Sequence, residues 1–413
     1  MRRGERVRLH VDNGLEDSAT VHWHGFELPA AADGGPHQLI RPGSRWSPSF
    51  EVRQRASLYW YHSHLHRGTG PQVYAGLAAP IYVRDDEEHA LDLPNEYGVD
   101  DIPLIVQDRL LDSSGMLLYP QNMHARMMGV RGDRIYVNGT QNAVFDARTG
   151  QLRLRILNGS NARFYVFSLS GGQTMELIAS DGGLLDRPHA VRSLRLAPGE
   201  RAQILVDLSE GRPLSLVATS PDNSMGMMGG DGGGMMGGGM MGRGSDDTQT
   251  DEPFRVLDIR PAGTSPRRNL PPQLAALPAL NPSLAVRTRR FVLDMGMMGG
   301  GMSINGASMD MNVINERVPV GVWEIWEIAN ASMMAHPFHI HNAQFRVIDR
   351  NGRTPPLLET GYKDTVVVGP RETVRVLLRF EDHADPDLPY MYHCHILEHE
   401  DAGMMGQFVV VNS

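Results

Sequence analysis

The chain has 413 residues, 41% of them hydrophobic, and a formal charge of −9 at pH 7. This length suits two or three domains that bury cores without staples, and the acidic balance offers no basic footprint for a nucleic-acid partner. The opening MRRGERVRLHVDNG lacks an apolar signal core, and no run approaches the roughly 20 apolar residues that span a bilayer, so a non-membrane protein with a small substrate is expected.

From the N-terminus onward the chain reads as short β-branched or alternating runs: RVRLHV, LRLRIL, RAQILVDL, VWEIWEI and TVRVLLRF, broken by Gly, Pro, Asn and Asp. This predicts an all-β fold. Three segments end alike, RVRLHVDNG at Asn13, LRLRILNGS at Asn158 and VWEIWEIANAS at Asn330. Their spacing is that of whole β-sandwich domains, so three related domains are expected. The composition puts them at residues 1–90, 91–260 and 285–413, with the Pro-rich 261–284 as a surface linker. Two Gly-Met inserts, residues 225–242 and the stretch from Met295 to Met302, are not expected to pack as regular elements.

Alternate residues of a strand share a face, so His-x-His aims two imidazoles at one spot. The chain has four such pairs: His22 and His24, His62 and His64, His339 and His341, His393 and His395. One pair alone is as readily structural as ligating, because a single hydrogen bond satisfies a core histidine. Four at matched repeat positions go beyond that. His22 and His24 lie nine and eleven residues after Asn13, as His339 and His341 do after Asn330, and YWYHSH matches YMYHCH. After Asn158 the same offsets fall on Phe167 and Leu169, so domain 2 reads as a spacer between two domains that share a multinuclear site. Imidazole suits copper, zinc, iron or nickel.

The single cysteine, Cys394, faces away from its neighbours His393 and His395 and belongs to a second site. His336, His399 and Met404 complete two imidazoles, a thiolate and a thioether, the ligand set of a blue-copper electron-transfer site. Through the tripeptide His393-Cys394-His395 the two sites share a covalent path. Domain 1 has Ala19, Ser63, Gly68 and Val73 at the corresponding positions, so only domain 3 can hold the blue site.

These motifs, with DGG at Asp181 and APGERAQILVD, resemble the three-domain multicopper oxidases, the family of laccases and bacterial cuprous oxidases. The resemblance implies three cupredoxin-like Greek-key β-sandwiches and four copper ions: one type-1, one type-2 and two type-3. It implies type-1 ligands His336, Cys394, His399 and Met404; type-2 ligands His22 and His339; and type-3 ligands His24, His62, His64, His341, His393 and His395. The implied reaction oxidises a reductant one electron at a time and reduces dioxygen to water. Similar enzymes have a signal peptide and one or two strands before the segment equivalent to RRGERVRLHV, so the first sandwich is expected to lack an edge strand. A periplasmic or secreted location rests on the resemblance alone.

Dioxygen reduction consumes protons, and Glu400 and Asp33 match acids near the cluster of similar oxidases. Asp33 also reads as a turn residue before Gly-Gly, and Glu398 as a solvated or structural partner. Thioethers select Cu(I), and thirteen of twenty-four methionines lie between Met225 and Met311, which makes a monomeric cuprous oxidase the leading expectation. The alternatives are a phenol oxidase, favoured by an apolar groove over a type-1 histidine, and a non-enzymatic copper-sequestering or envelope-assembly protein.

Overall fold

A computed structural model of the chain describes residues 1–221, 253–296 and 301–412. Among these residues strands dominate, and every helix is one or two turns long. They form three β-sandwich units of cupredoxin type. In the first, short pairs (Arg6–Arg8 with Ser49–Glu51, Val11–Asp12 with Arg45–Trp46) accompany a three-stranded sheet of His22–His24, Ser57–His62 and Ala78–Val83. The second unit packs a seven-stranded sheet on a five-stranded one, and the third a six-stranded sheet on a five-stranded one. Each encloses its own apolar core, built around Trp23 and Phe50, Leu154 and Phe167, and Trp326 and Phe338 respectively.

The three aligned asparagines do one structural job. Asn13, Asn158 and Asn330 each accept from the backbone N–H two residues on, through Leu15, Ser160 and Ser332. Each also donates through Nδ2 to a carbonyl a few residues ahead and to another on a separate segment, as Asn330 does to Met334 (2.7 Å) and Val368 (3.0 Å). A buried amide that closes an Asx turn and bridges segments fixes where the chain re-enters the sheet. The histidines at constant offset from it are thereby placed.

Strand alternation fails on several strands, Gln151–Asn158 among them. Along Gln151–Asn158 every residue is buried, including Arg153 and Arg155, which period-two reading points at solvent. The first unit covers that face. Arg155 donates to Asp101 at 2.6 and 2.8 Å, and both arginines pair with Glu88 of the helix Asp86–His89.

The Pro-rich stretch after the second unit runs along the surface, with Leu274 tucked against Leu93, Ile178 and Leu205. The Met225 insert lies outside the described residues, as do Met297 and Met298. Met295 and Met302, expected in an unstructured stretch, instead pair across two antiparallel strands, Arg287–Met295 and Met302–Ile304. Backbone pairing from Leu293–Ile304 onward overrides the low strand propensity of the Gly-Met composition. Among the described residues no helix is long and apolar enough to cross a membrane.

Candidate metal centre

The strands His22–His24 and Ser57–His62 of the first unit oppose His336–Ile340 and Asp385–Cys394 of the third. Register sets His22 across from His62 and His339 across from His393. All eight His-x-His imidazoles are buried together where the two units meet. His22 stacks on His341 at 3.8 Å between ring centroids, and His24 on His339 at 3.7 Å.

The nitrogens sort into groups. His24 Nδ1 lies 3.4 Å from His62 Nε2 and 3.3 Å from His395 Nε2. His393 Nε2 lies 3.2 Å from His64 Nε2 and 3.3 Å from His341 Nε2. The buried Nε2 atoms of His22 and His339 have no hydrogen-bond partner. Orphaned buried nitrogens are costly unless something unrecorded in the protein atoms satisfies them, and metal ions meet that need.

The opposite edges of the rings are held by the protein, which fixes tautomer and aim. His22 Nδ1 donates to the Asp33 carbonyl (3.0 Å), His339 Nδ1 to the Asp364 carbonyl (2.8 Å) and His62 Nδ1 to the Ser63 carbonyl (2.7 Å). Burial, followed by the neighbouring imidazoles, holds His62, His64, His339 and His341 well below the ordinary histidine range, so these rings are neutral and ready to ligate.

Three carboxylates touch the cluster. Asp33 Oδ2 accepts from His341 Nδ1 at 2.8 Å, so Asp33 is a buried partner of the site and not merely a turn residue. Glu400 reaches two rings, Oε1 at 3.3 Å from His64 Nδ1 and Oε2 at 3.1 Å from His393 Nδ1. Asp364 is the acid that sequence reading missed. Its Oδ1 accepts from His24 Nε2 at 3.0 Å. Its only local signal is an acid just before the buried run Thr365–Val368. Glu398 is buried and accepts from Tyr119 (2.9 Å) and Asn161 (2.8 Å), so it is structural rather than solvated.

The second site lies inside the third unit. Cys394 Sγ is 3.4 Å from His336 Nδ1 and 3.7 Å from His399 Nδ1, and those nitrogens are 3.3 Å apart. Met404 is fully buried in the same cluster. Burial pushes the Cys394 thiol well above its usual range and pulls His399 down to about 4. Without a cation such a thiol is inert; with one it is a thiolate ligand. His393 and His395 turn to the imidazole cluster while Cys394 turns away, as strand alternation predicts.

The second unit is more than the expected spacer. Its Arg201 grips Asp364, its Met127 carbonyl accepts from His399 Nε2 at 2.9 Å, and its Gly199 makes room for His395. Gly199 has φ +82°, and a Cβ there would sit 2.9 Å from the His395 ring.

Comparison with known proteins agrees with this geometry. Family models described as multicopper oxidase match residues 1–88, 112–222 and 281–413. The multicopper oxidase mco of Staphylococcus haemolyticus is 34% identical over 100% of this chain and 81% of its own. The cell division protein FtsP of Yersinia pestis is 37% identical over 99% of this chain and 81% of its own. The crystallised laccase-like multi-copper oxidase CueO of an Ochrobactrum species superposes with a TM-score of 0.86 at 35% identity, covering 100% of this chain and 89% of that one. The chain belongs to the multicopper oxidase family. It is a copper-dependent oxidoreductase.

Proposed function

We propose that the protein is a cuprous oxidase, coupling oxidation of Cu(I) to reduction of dioxygen to water and serving copper detoxification in the periplasm or outside the cell. In this reading His336, Cys394, His399 and Met404 hold type-1 copper, and His22 and His339 hold type-2 copper. The trios His24, His62, His395 and His64, His341, His393 hold the type-3 pair. When bound, these ions supply one-electron acceptance at the thiolate site and four-electron delivery to dioxygen at the cluster.

The remaining chemistry belongs to the chain. Glu400 and Asp33 lie beside ligand rings and are placed to hold or pass a proton at Oε1 and Oε2 of Glu400 and at Oδ2 of Asp33. A cavity of about 500 Å³ opens beside Tyr119, Glu398 and Asp401, next to Glu400 in the chain, and supports delivery from that side.

The observation that carries the choice of reductant is the sealing of the thiolate site. A phenol needs an apolar groove over an exposed imidazole edge. Here both imidazoles are fully buried, and both outer nitrogens are occupied, His336 Nε2 by Ser332 Oγ (2.8 Å) and His399 Nε2 by Met127 O (2.9 Å). Soft donors crowd the same core: Met302 and Met334 lie within it, and Met127, Met128 and Met295 pack against it. The Met225 insert would add a collecting arm for Cu(I). A role in cell division, as the name of the FtsP relative has it, does not require this complete ligand set.

Steady-state oxygen consumption with Cu(I), Fe(II) and a phenol as competing reductants tests the reading. Cu(I) should have the highest kcat/KM and Ag(I) should inhibit it competitively. A phenol that outcompetes Cu(I) would return the assignment to a laccase.

A further inference from the structure

Two residues after the asparagine that recurs in each unit stand Leu15 in the first, Ser160 in the second and Ser332 in the third. In all three the backbone N–H of that residue closes the Asx turn, so the turn forms with or without a hydroxyl. In the third unit the hydroxyl reaches a ring of the thiolate site: Ser332 Oγ lies 2.8 Å from His336 Nε2, and both side chains are buried.

Proton supply sets the direction of that bond. A hydroxyl has one proton and two lone pairs. Ser332 Oγ has two neighbours that can only accept, Asn330 Oδ1 at 2.8 Å and Met334 O at 3.1 Å, and its proton goes to them. The Met334 N–H, at 3.3 Å, takes one lone pair. The other is left for His336, which therefore donates from Nε2. The ring is held as the Nε2–H tautomer, with Nδ1 turned to Cys394 Sγ at 3.4 Å. His399 is held in the same sense by a backbone carbonyl, Met127 O, which no change of side chain removes. Among the described residues Ser332 is the side chain that holds the outer nitrogen of a thiolate-site imidazole.

We propose that Ser332 is a positioning residue for the thiolate site: its neutral hydroxyl fixes the His336 tautomer and sets the donor strength of that ring, and with it the type-1 reduction potential. An imidazole that donates its outer N–H is a more basic ligand through its inner nitrogen, and a more basic ligand favours Cu(II) over Cu(I). A neutral acceptor has this effect moderately, a carboxylate more strongly, and a missing acceptor not at all. The inference rests on His336 being a type-1 ligand and is independent of which reductant the enzyme takes.

The test is spectropotentiometric titration of the copper-loaded full chain and of Ser332→Ala, Ser332→Thr and Ser332→Asp. Ser332→Ala should raise the type-1 potential and Ser332→Asp should lower it, each by about a tenfold change in the electron-transfer equilibrium, or about 59 mV for one electron. Ser332→Thr keeps the hydroxyl and should return the parent value. Thermal unfolding is followed alongside. A serine that only braces the turn would lower Tm in the alanine variant and leave the potential where it was, and that result overturns the proposal. If Ser332→Asp fails to fold or to bind copper, the alanine and threonine variants decide between them. A second readout needs no turnover: in the fully reduced, diamagnetic Cu(I) protein, proton–nitrogen NMR should show an exchange-protected Nε2–H on His336 that shifts or vanishes in Ser332→Ala. A parent ring protonated at Nδ1 instead also overturns the proposal. A copper-loaded parent without a blue band would sink the ligand assignment, and the NMR tautomer then decides alone whether Ser332 positions His336.

Discussion

Arg201 of the second unit and Asp364 of the third form a fork-to-fork ion pair, Nη1 to Oδ1 and Nη2 to Oδ2 both at 2.6 Å, with both side chains fully buried. The same Oδ1 accepts from His24 Nε2 at 3.0 Å. Arg201 also lies 3.6 Å from Asp181, which meets Lys363 at 2.8 Å. A buried charge network thus runs from the second unit to the histidine cluster. Arg201→Met would leave Asp364 charged and unpaired, a loss of roughly 3–5 kcal/mol in comparable buried pairs, read as a lowered Tm. Arg201→Lys keeps the charge but not the fork. It should fold with a normal type-1 band and an altered type-2 EPR signal, whereas an unaltered signal would make Arg201 a purely structural residue.

Cys394 is the only thiol in the chain. Cys394→Ser should abolish the intense visible charge-transfer band and oxidase turnover together. Met404→Leu should keep the band and raise the reduction potential, because losing a weak axial donor destabilises Cu(II) more than Cu(I). Spectropotentiometric titration reads both outcomes. A band that survives in the serine variant refutes the ligand assignment.

Glu400 touches the His64 and His393 rings through separate oxygens. Glu400→Gln should leave bleaching of the blue band by reductant nearly normal and slow its return under dioxygen by roughly 10²-fold. Stopped-flow absorbance separates the phases, and equal slowing of both would argue against a proton role. Asp33→Asn should act in the same direction through His341.

Glu27 lines a cavity of about 470 Å³ between the first and third units. Burial, then Glu381 and Asp382, push its carboxyl up to about 7. A raised acid keeps its proton in the folded state while the unfolded chain gives it up, so stability falls as pH rises from about 4.5 to 7 and the penalty is complete above that. Glu27→Gln should therefore raise Tm at pH 8 by roughly 1–3 °C, discounted for the solvent in the cavity, and leave it unchanged at pH 4. Scanning calorimetry at both pH values on copper-loaded protein checks this, and a pH-independent difference would contradict it.

Local spacing made much of this protein legible without coordinates. Period-two geometry sends His393 and His395 one way and Cys394 the other whatever the surroundings, and a buried Asn at each repeat sets the offset to the histidines. Those relations depend only on backbone geometry within a few residues, which sequence encodes directly.

Tertiary structure decided the rest, because it depends on how finished units dock. Nothing local to Arg201 or Met127 says that one meets an acid 163 positions away and the other a histidine 272 positions away. The same docking buries Arg153 and Arg155 on a face that alternation assigns to water and draws Glu398 out of solvent. It also closes the outer edge of the His399 imidazole, through Met127 of the second unit. Desolvation at an interface between domains is a property of two surfaces together, and neither stretch of sequence contains the other.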